Sequence, residues 1–94
     1  MISDRDLNTI RTYARKFNLS SVILFGSSLK GDDFNDIDLG VKGLDPALFF
    51  SFYGQLMLHL STNVDVVDLT QENAFNRIVE SEGVEIYGNT QREN

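Results

Sequence analysis

The sequence predicts an α/β domain in which helices pack on a small mixed β-sheet. Stretches with helical periodicity alternate with short strand-like runs, in the order α-β-α-β-α-β-α-β. The chain has 94 residues, enough for one hydrophobic core, and its 41% apolar and 23% charged residues are ordinary for a globular protein. We therefore expect a single domain over residues 1–94.

The first third of the chain predicts a helix followed by a buried strand. We expect an amphipathic helix over residues 3–17, with Ser3 as its N-cap. The continuous apolar run Ser21–Phe25 is typical of a central strand covered on both faces. It ends at Gly26, where Gly-Ser-Ser predicts a turn that opens a short helix stopping near Gly31.

The remaining residues predict three more strands and two helices. Residues 36–41 alternate polar and apolar with period two, which indicates a strand. Asp45 and Pro46 predict the start of a helix that reaches about residue 60. We expect a third strand at 63–69, beside the second, and a last helix at 71–82 between Thr70 as cap and Gly83 as C-terminal end. Residues 84–87 predict a short edge strand.

Composition excludes several classes of function. The chain has no cysteine, which excludes disulfides, thiolate catalysis and zinc–sulfur sites. Its net charge of −6 comes without a basic stripe, so we expect no direct nucleic-acid binding. No stretch approaches ~20 consecutive apolar residues and the N-terminus does not have the pattern of a signal peptide, so we expect a soluble, cytoplasmic protein with no membrane segment.

Three aspartates on two predicted strands form a candidate metal site. Asp36 and Asp38 lie two residues apart, so their carboxylates share one face, with α-carbons ~6.5–7 Å apart. Without a cation the two anions would repel, and the pKa of one of them would rise. Asp65 is the best third carboxylate, because an aspartate in the middle of an apolar strand needs hydrogen bonds or a metal. Asp68 falls on the opposite face, as a cap or a surface acid.

The turn at Gly26, Ser27 and Ser28 is a candidate phosphate site. Glycine lets a ligand approach the backbone closely, and a helix N-terminus presents free N–H groups. The two serine hydroxyls and Lys30 add donors to this loop. Gly-Ser-Ser alone is most often an ordinary turn, and Asp-x-Asp alone is little more specific. The combination with a third aspartate within a strand is a stronger signal.

These segments resemble the signature of the DNA polymerase beta-like nucleotidyltransferase superfamily, in particular its minimal nucleotidyltransferase (MNT) branch. The resemblance covers nearly the whole chain, and is carried by FGSSLKG (25–31), NDIDLGV (35–41), VDVVDL (64–69) and RIVESEGVEIY (77–87). It implies that Ser27 holds a nucleoside triphosphate, that Asp36 and Asp38 bind two Mg²⁺ ions, and that Asp65 completes the ion that activates the attacking hydroxyl. The implied reaction is attack on the α-phosphate with loss of pyrophosphate.

The resemblance also implies a partner. Many MNT proteins are antitoxins paired with an all-helical HEPN toxin, and some of them transfer AMP from ATP onto a toxin tyrosine. Such a role implies AMP transfer to a protein hydroxyl and a HEPN-domain partner. Family members usually carry Ala-Arg where this chain has Leu29 and Lys30, and a lysine loses the bidentate phosphate geometry of arginine.

Two other hypotheses about the function stay open. The chain could neutralise its partner by occlusion without catalysis, or be a metal-stabilised domain without turnover. The aromatic residues Phe49, Phe50, Phe52 and Tyr53 are more than one buried face can hold, which favours a core role for most and a partner surface for the excess. His59, the one histidine, is expected to pack or to lie on the surface.

Overall fold

The computed structural model of the chain describes residues 2–29 and 36–88. Within them the helices are α1 (Asp4–Lys16), α2 (Phe49–His59) and α3 (Ala74–Glu82). The strands are β1 (Ser21–Phe25), β2 (Asp36–Lys42), β3 (Asn63–Asp68) and β4 (Val84–Gly88). Single 3₁₀ turns follow β1 (Gly26–Leu29) and precede α2 (Pro46–Leu48). The predicted α/β class and order of elements are confirmed.

The four described strands form one mixed sheet in the order β3-β2-β1-β4. β1 is antiparallel to both β2 and β4, whereas β2 and β3 are parallel and α2 connects them. β3 therefore lies beside the Asp36 strand, as the sequence predicts, and β4 is an edge strand.

The helices cover the two faces of the sheet unequally. α1 and α2 pack on one face through fully buried residues such as Ile10 and Phe52, which meet Ile37 and Leu39 of β2. α3 covers part of the other face, where Val79 packs with Ile23 and Leu69. Because side chains alternate along a strand, residues of β2 and β3 that do not face α1 and α2 point toward this partly open face.

The termini of the helices show where local prediction succeeds and where it fails. Ser3 caps α1 as expected, since its hydroxyl accepts a hydrogen bond from the Asp6 N–H at 3.1 Å. The expected Thr70 cap is wrong: α3 begins at Ala74, with Asn73 as its cap. The reason is local competition, because the N–H and hydroxyl of Thr70 both donate to Asp68 Oδ1, at 2.9 and 2.6 Å.

The second helix begins later than the sequence predicts. Asp45 does act as a cap, accepting from the Ala47 N–H at 2.9 Å, but it caps the 3₁₀ turn that starts at Pro46. The α-helix follows from Phe49. No helix in the described part of the chain is long and apolar enough to cross a membrane.

Candidate active site

The sheet register brings the three predicted aspartates onto one face. Asp38 is the cross-strand partner of Asp65 on parallel β3. Asp36, two residues before Asp38, pairs with Asn63 of the same strand. Their neighbours Ile37, Val64 and Val66 are buried against α1 and α2, so all three carboxylates belong to the partly open face. Asp36 and Asp65 are exposed and Asp38 is half-buried.

The sheet register also brings the turn at Gly26–Leu29, the candidate phosphate site, next to Asp38. Asp38 is also the antiparallel partner of Phe25, the last residue of β1, and the turn begins at the following residue. Gly26 has φ of 74°, a left-handed conformation, and a Cβ atom added there would overlap the Asp38 Oδ2 atom. The glycine is therefore required twice, for the backbone conformation and for the close approach of the carboxylate to the turn.

The two serines of the turn differ in their surroundings. Ser27 is exposed, so its hydroxyl and backbone are accessible to a ligand. Ser28 is fully buried, and its hydroxyl donates to the Phe25 carbonyl at 3.0 Å. This bond closes the turn. Phosphate binding by the Ser28 hydroxyl stays a prediction that has to compete with it. Lys30, the other predicted phosphate contact, lies outside the described residues.

The electrostatics of the aspartates agree with the repulsion that their spacing predicts. The pKa of Asp38 is raised, first by burial, then by the negative charge of Asp65 and then by that of Asp36. The fold thus holds Asp65 and Asp36 close enough to affect the ionisation of Asp38. A bound cation would reverse the effect, because an opposite charge favours the ionised carboxylate.

Tyr53 is the residue of the site that the sequence did not single out for chemistry. Its hydroxyl donates to Asp65 Oδ1 at 3.4 Å, a long and weak hydrogen bond. The pKa of Tyr53 is raised by burial, by the charge of Asp65, by the hydrogen bond to it and by Asp36. Tyr53 belongs to α2, and no local motif reveals that its ring end reaches a carboxylate on β3.

The carboxylate oxygens of the site are of the type that binds a hard cation. Carboxylate oxygens are the ligands that Mg²⁺ prefers, and Asp36, Asp38 and Asp65 share one face. Nevertheless, among residues 2–29 and 36–88 no three Asp, Glu or His side chains lie close enough together to hold a metal ion. The hydrogen bond to Tyr53 gives Asp65 a different partner. Coordination by all three carboxylates therefore stays a prediction.

A cleft adjoins the turn on the side of α3. This turn cleft has a volume of about 420 Å³ and is lined by Phe25, Gly26, Ser27, Leu29, Phe75, Ile78, Val79 and Glu82. On the other side of Phe75 lies a wider depression of about 700 Å³, lined also by Val67, Asp68, Gln71, Asn73 and Asn76. Of the predicted site residues that the structure describes, the depression contains none, whereas the turn cleft contains Gly26 and Ser27.

Comparison with known proteins gives a family and a set of similar structures. The family model described as "Polymerase beta, Nucleotidyltransferase" matches residues 8–92. No curated protein matches the chain in sequence.

Three of the similar solved structures are toxin–antitoxin complexes. A complex crystallised with AMP-PNP contains a chain of 28% identity and TM-score 0.71, with 90% of this chain and 75% of that chain covered. A complex of tri-AMPylated Shewanella oneidensis HEPN toxin with MNT antitoxin gives 27% identity and TM-score 0.68, covering 92% and 72%. The MntA–HepT complex, at 24% identity, TM-score 0.69 and coverage of 95% and 75%, supports the fold alone.

Proposed function

The chain belongs to the polymerase beta nucleotidyltransferase family, and on that premise we propose that it is a Mg²⁺-dependent enzyme that transfers AMP from ATP to a hydroxyl of a HEPN-domain partner. One observation carries the proposal. Asp38 lies between the turn at Gly26, which it touches, and Asp65, with which it pairs across the sheet. The turn that would receive the phosphates therefore adjoins the carboxylates that would hold the metal, as the transfer of a charged nucleotide requires.

The chemistry divides between the two halves of the site. The backbone of Gly26 and Ser27 would receive the phosphates, because free N–H groups at such a turn bind anions. Asp36, Asp38 and Asp65 would hold two Mg²⁺ ions, which when bound neutralise phosphate charge and align nucleophile and leaving group. The acceptor oxygen attacks the α-phosphorus, the bond to the pyrophosphate oxygen breaks, and the hydroxyl proton passes to a carboxylate. Pyrophosphate leaves and AMP stays on the acceptor.

In this proposal Asp65 would receive the acceptor hydroxyl. Its Oδ1 atom already accepts a hydrogen bond from a phenol, that of Tyr53. A tyrosine of a partner protein could replace this contact with the same chemistry. The two neighbours of 28 and 27% identity support the substrate and the acceptor, since one complex holds AMP-PNP and the other an AMPylated HEPN toxin. A cytoplasmic location remains part of the proposal.

The test is transfer of label from α-labelled ATP to the partner protein. Asp65→Asn should abolish labelling while the fold is kept, whereas Asp68→Asn on the same strand should label normally. Asp68 is the matched control because its Oδ1 atom accepts hydrogen bonds from Thr70, and because alternation along β3 turns it away from the side of Asp65. Full labelling by the Asp65 variant, or by Asp38→Asn, would refute the catalytic assignment.

A second function, neutralisation by occlusion, is favoured by the surface of α2. Phe50, Met57 and Leu58 are 81%, 63% and 77% exposed, although the buried side of the helix already provides Phe52 and Leu56. An apolar surface of this kind fits a helical partner. The triple variant Asp36→Asn, Asp38→Asn, Asp65→Asn separates the functions: continued suppression of partner toxicity means that occlusion suffices, and loss of suppression means that catalysis is needed.

A further inference from the structure

We infer that the turn cleft binds the adenine base of the nucleotide, with Phe75 against the ring and Glu82 at its amino group. This inference rests on the proposed function, because it extends the predicted phosphate site toward the rest of the nucleotide. It assigns a role to α3, which the predicted site does not use.

The shape and lining of the turn cleft fit a nucleobase. Its volume of about 420 Å³ lies in the range of small-molecule pockets, ~300–1,000 Å³. Its lining residues Phe75 and Ile78 are 53% and 56% exposed overall, so each has apolar surface available for a flat ring. The ring of Phe75 packs edge to face on the ring of Phe25, with 6.0 Å between the ring centroids. This contact holds the Phe75 ring in its position at the cleft.

The turn cleft adjoins the predicted phosphate site, and this position favours it over the wider depression as the place for the base. Gly26 and Ser27 form both one wall of the cleft and the predicted phosphate turn. A nucleotide whose phosphates lie on this turn can therefore reach the cleft without crossing another element. The depression beyond Phe75 touches neither residue, and its lining combines Val67 and Phe75 with Asp68 and three amide side chains, those of Gln71, Asn73 and Asn76.

Glu82 gives the cleft a preference for adenine over guanine. Among the lining residues that the structure describes, Glu82 is the charged one in a mostly apolar set, and an ionised carboxylate only accepts hydrogen bonds. Adenine offers a 6-amino donor, whereas guanine has an oxygen acceptor at the same place. The Glu82 carboxylate would accept a hydrogen bond from the amino group of adenine and would repel the oxygen of guanine.

The experiment is equilibrium binding of ATP, GTP and inorganic tripolyphosphate by calorimetry with Mg²⁺ present. Phe75→Ala should weaken ATP about tenfold, the effect of losing one base–aromatic stack, and leave tripolyphosphate binding unchanged. Ile78→Ala is a second cleft variant with a smaller expected loss. Glu82→Gln should bring the affinities for ATP and GTP closer together by severalfold.

Two control variants make the result specific. Val84→Ala truncates an exposed apolar residue outside the cleft (45% exposed), and Gln71→Ala removes a side chain of the rival depression; both should bind ATP like the wild type. Wild-type affinity in both cleft variants, or a loss in Gln71→Ala, would overturn the base site and leave the proposed function standing. If the wild type binds neither ATP nor tripolyphosphate, the proposed function and the base site are both overturned.

Discussion

Replacing Asp38 by asparagine should stabilise the metal-free domain while abolishing its activity. The pKa of Asp38 is raised by burial and by the charges of Asp65 and Asp36. A raised pKa in the folded state means that ionisation of this group costs stability. Asparagine keeps the shape of the side chain and removes the charge, so the variant no longer bears that cost.

The size of the effect follows from the cross-strand geometry. Like charges facing each other across strands destabilise by about 0.2–1 kcal/mol, and Asp38 faces Asp65 directly across the parallel pair. For a domain of this size, about 1 kcal/mol corresponds to roughly 4–8 °C in Tm. We therefore expect Asp38→Asn to raise Tm by a few degrees in a chelating buffer at neutral pH.

The pH dependence has a defined sign. Below 3.8, the ordinary pKa of an aspartate, Asp38 is protonated in both folded and unfolded chains, and variant and wild type should melt alike. As pH rises through the raised pKa, the wild type loses stability and the difference opens. Thermal unfolding from pH 3 to 8 measures it. Asp68→Asn should show no such gain, and a variant less stable than the wild type at neutral pH without metal would refute the reasoning.

Three further substitutions test other parts of the site and fold. Gly26→Ala should cost about 1–3 kcal/mol through its backbone conformation and lower nucleotide transfer much more, because its Cβ displaces the Asp38 carboxylate; activity that falls only in proportion to stability would contradict this. Tyr53→Phe should strengthen Mg²⁺ binding severalfold in a titration, since it frees Asp65 Oδ1; weaker binding would show that Tyr53 instead positions the carboxylate. Asp6→Ala should lower the free energy of unfolding by about 1–3 kcal/mol, because the buried carboxylate accepts from the N–H and hydroxyl of Ser61; denaturant unfolding that matches the wild type would be the contrary result.

The predictable part of this molecule is the part specified by local periodicity and by register. Alternation along residues 36–41 predicts which side of β2 carries Asp36 and Asp38, and the structure has Ile37 and Leu39 buried on the other side. The second and third strands lie side by side, as predicted, in keeping with the tendency of consecutive strands to be neighbours in a sheet. Once those strands pair in parallel, the position of Asp65 beside Asp38 is a geometric consequence.

What the sequence did not predict depends on contacts between distant segments or on competition among neighbours. The sequence predicts that α3 begins after Thr70, whereas the helix begins at Ala74 because Thr70 is hydrogen-bonded to Asp68. Composition does not decide whether Thr70 or Asn73 caps the helix. The contact of Tyr53 with Asp65 requires the packing of α2 beside β3. The turn cleft needs α3 to lie against the end of β1, a tertiary arrangement with no sequence signature.

Asp6 and Asp38 are the acids that are buried or half-buried among residues 2–29 and 36–88, and their surroundings show why Asp38 points to a ligand and Asp6 does not. Asp6 is 3% exposed, yet Ser61 supplies it with two donors, so its burial is compensated within the chain. Asp38 receives no hydrogen bond from the residues that the structure describes, and the groups that raise its pKa are burial and two further carboxylates. A fold that retains such an arrangement loses stability unless something positive arrives from outside. The acidic face is therefore best explained by the cation that the proposed reaction needs.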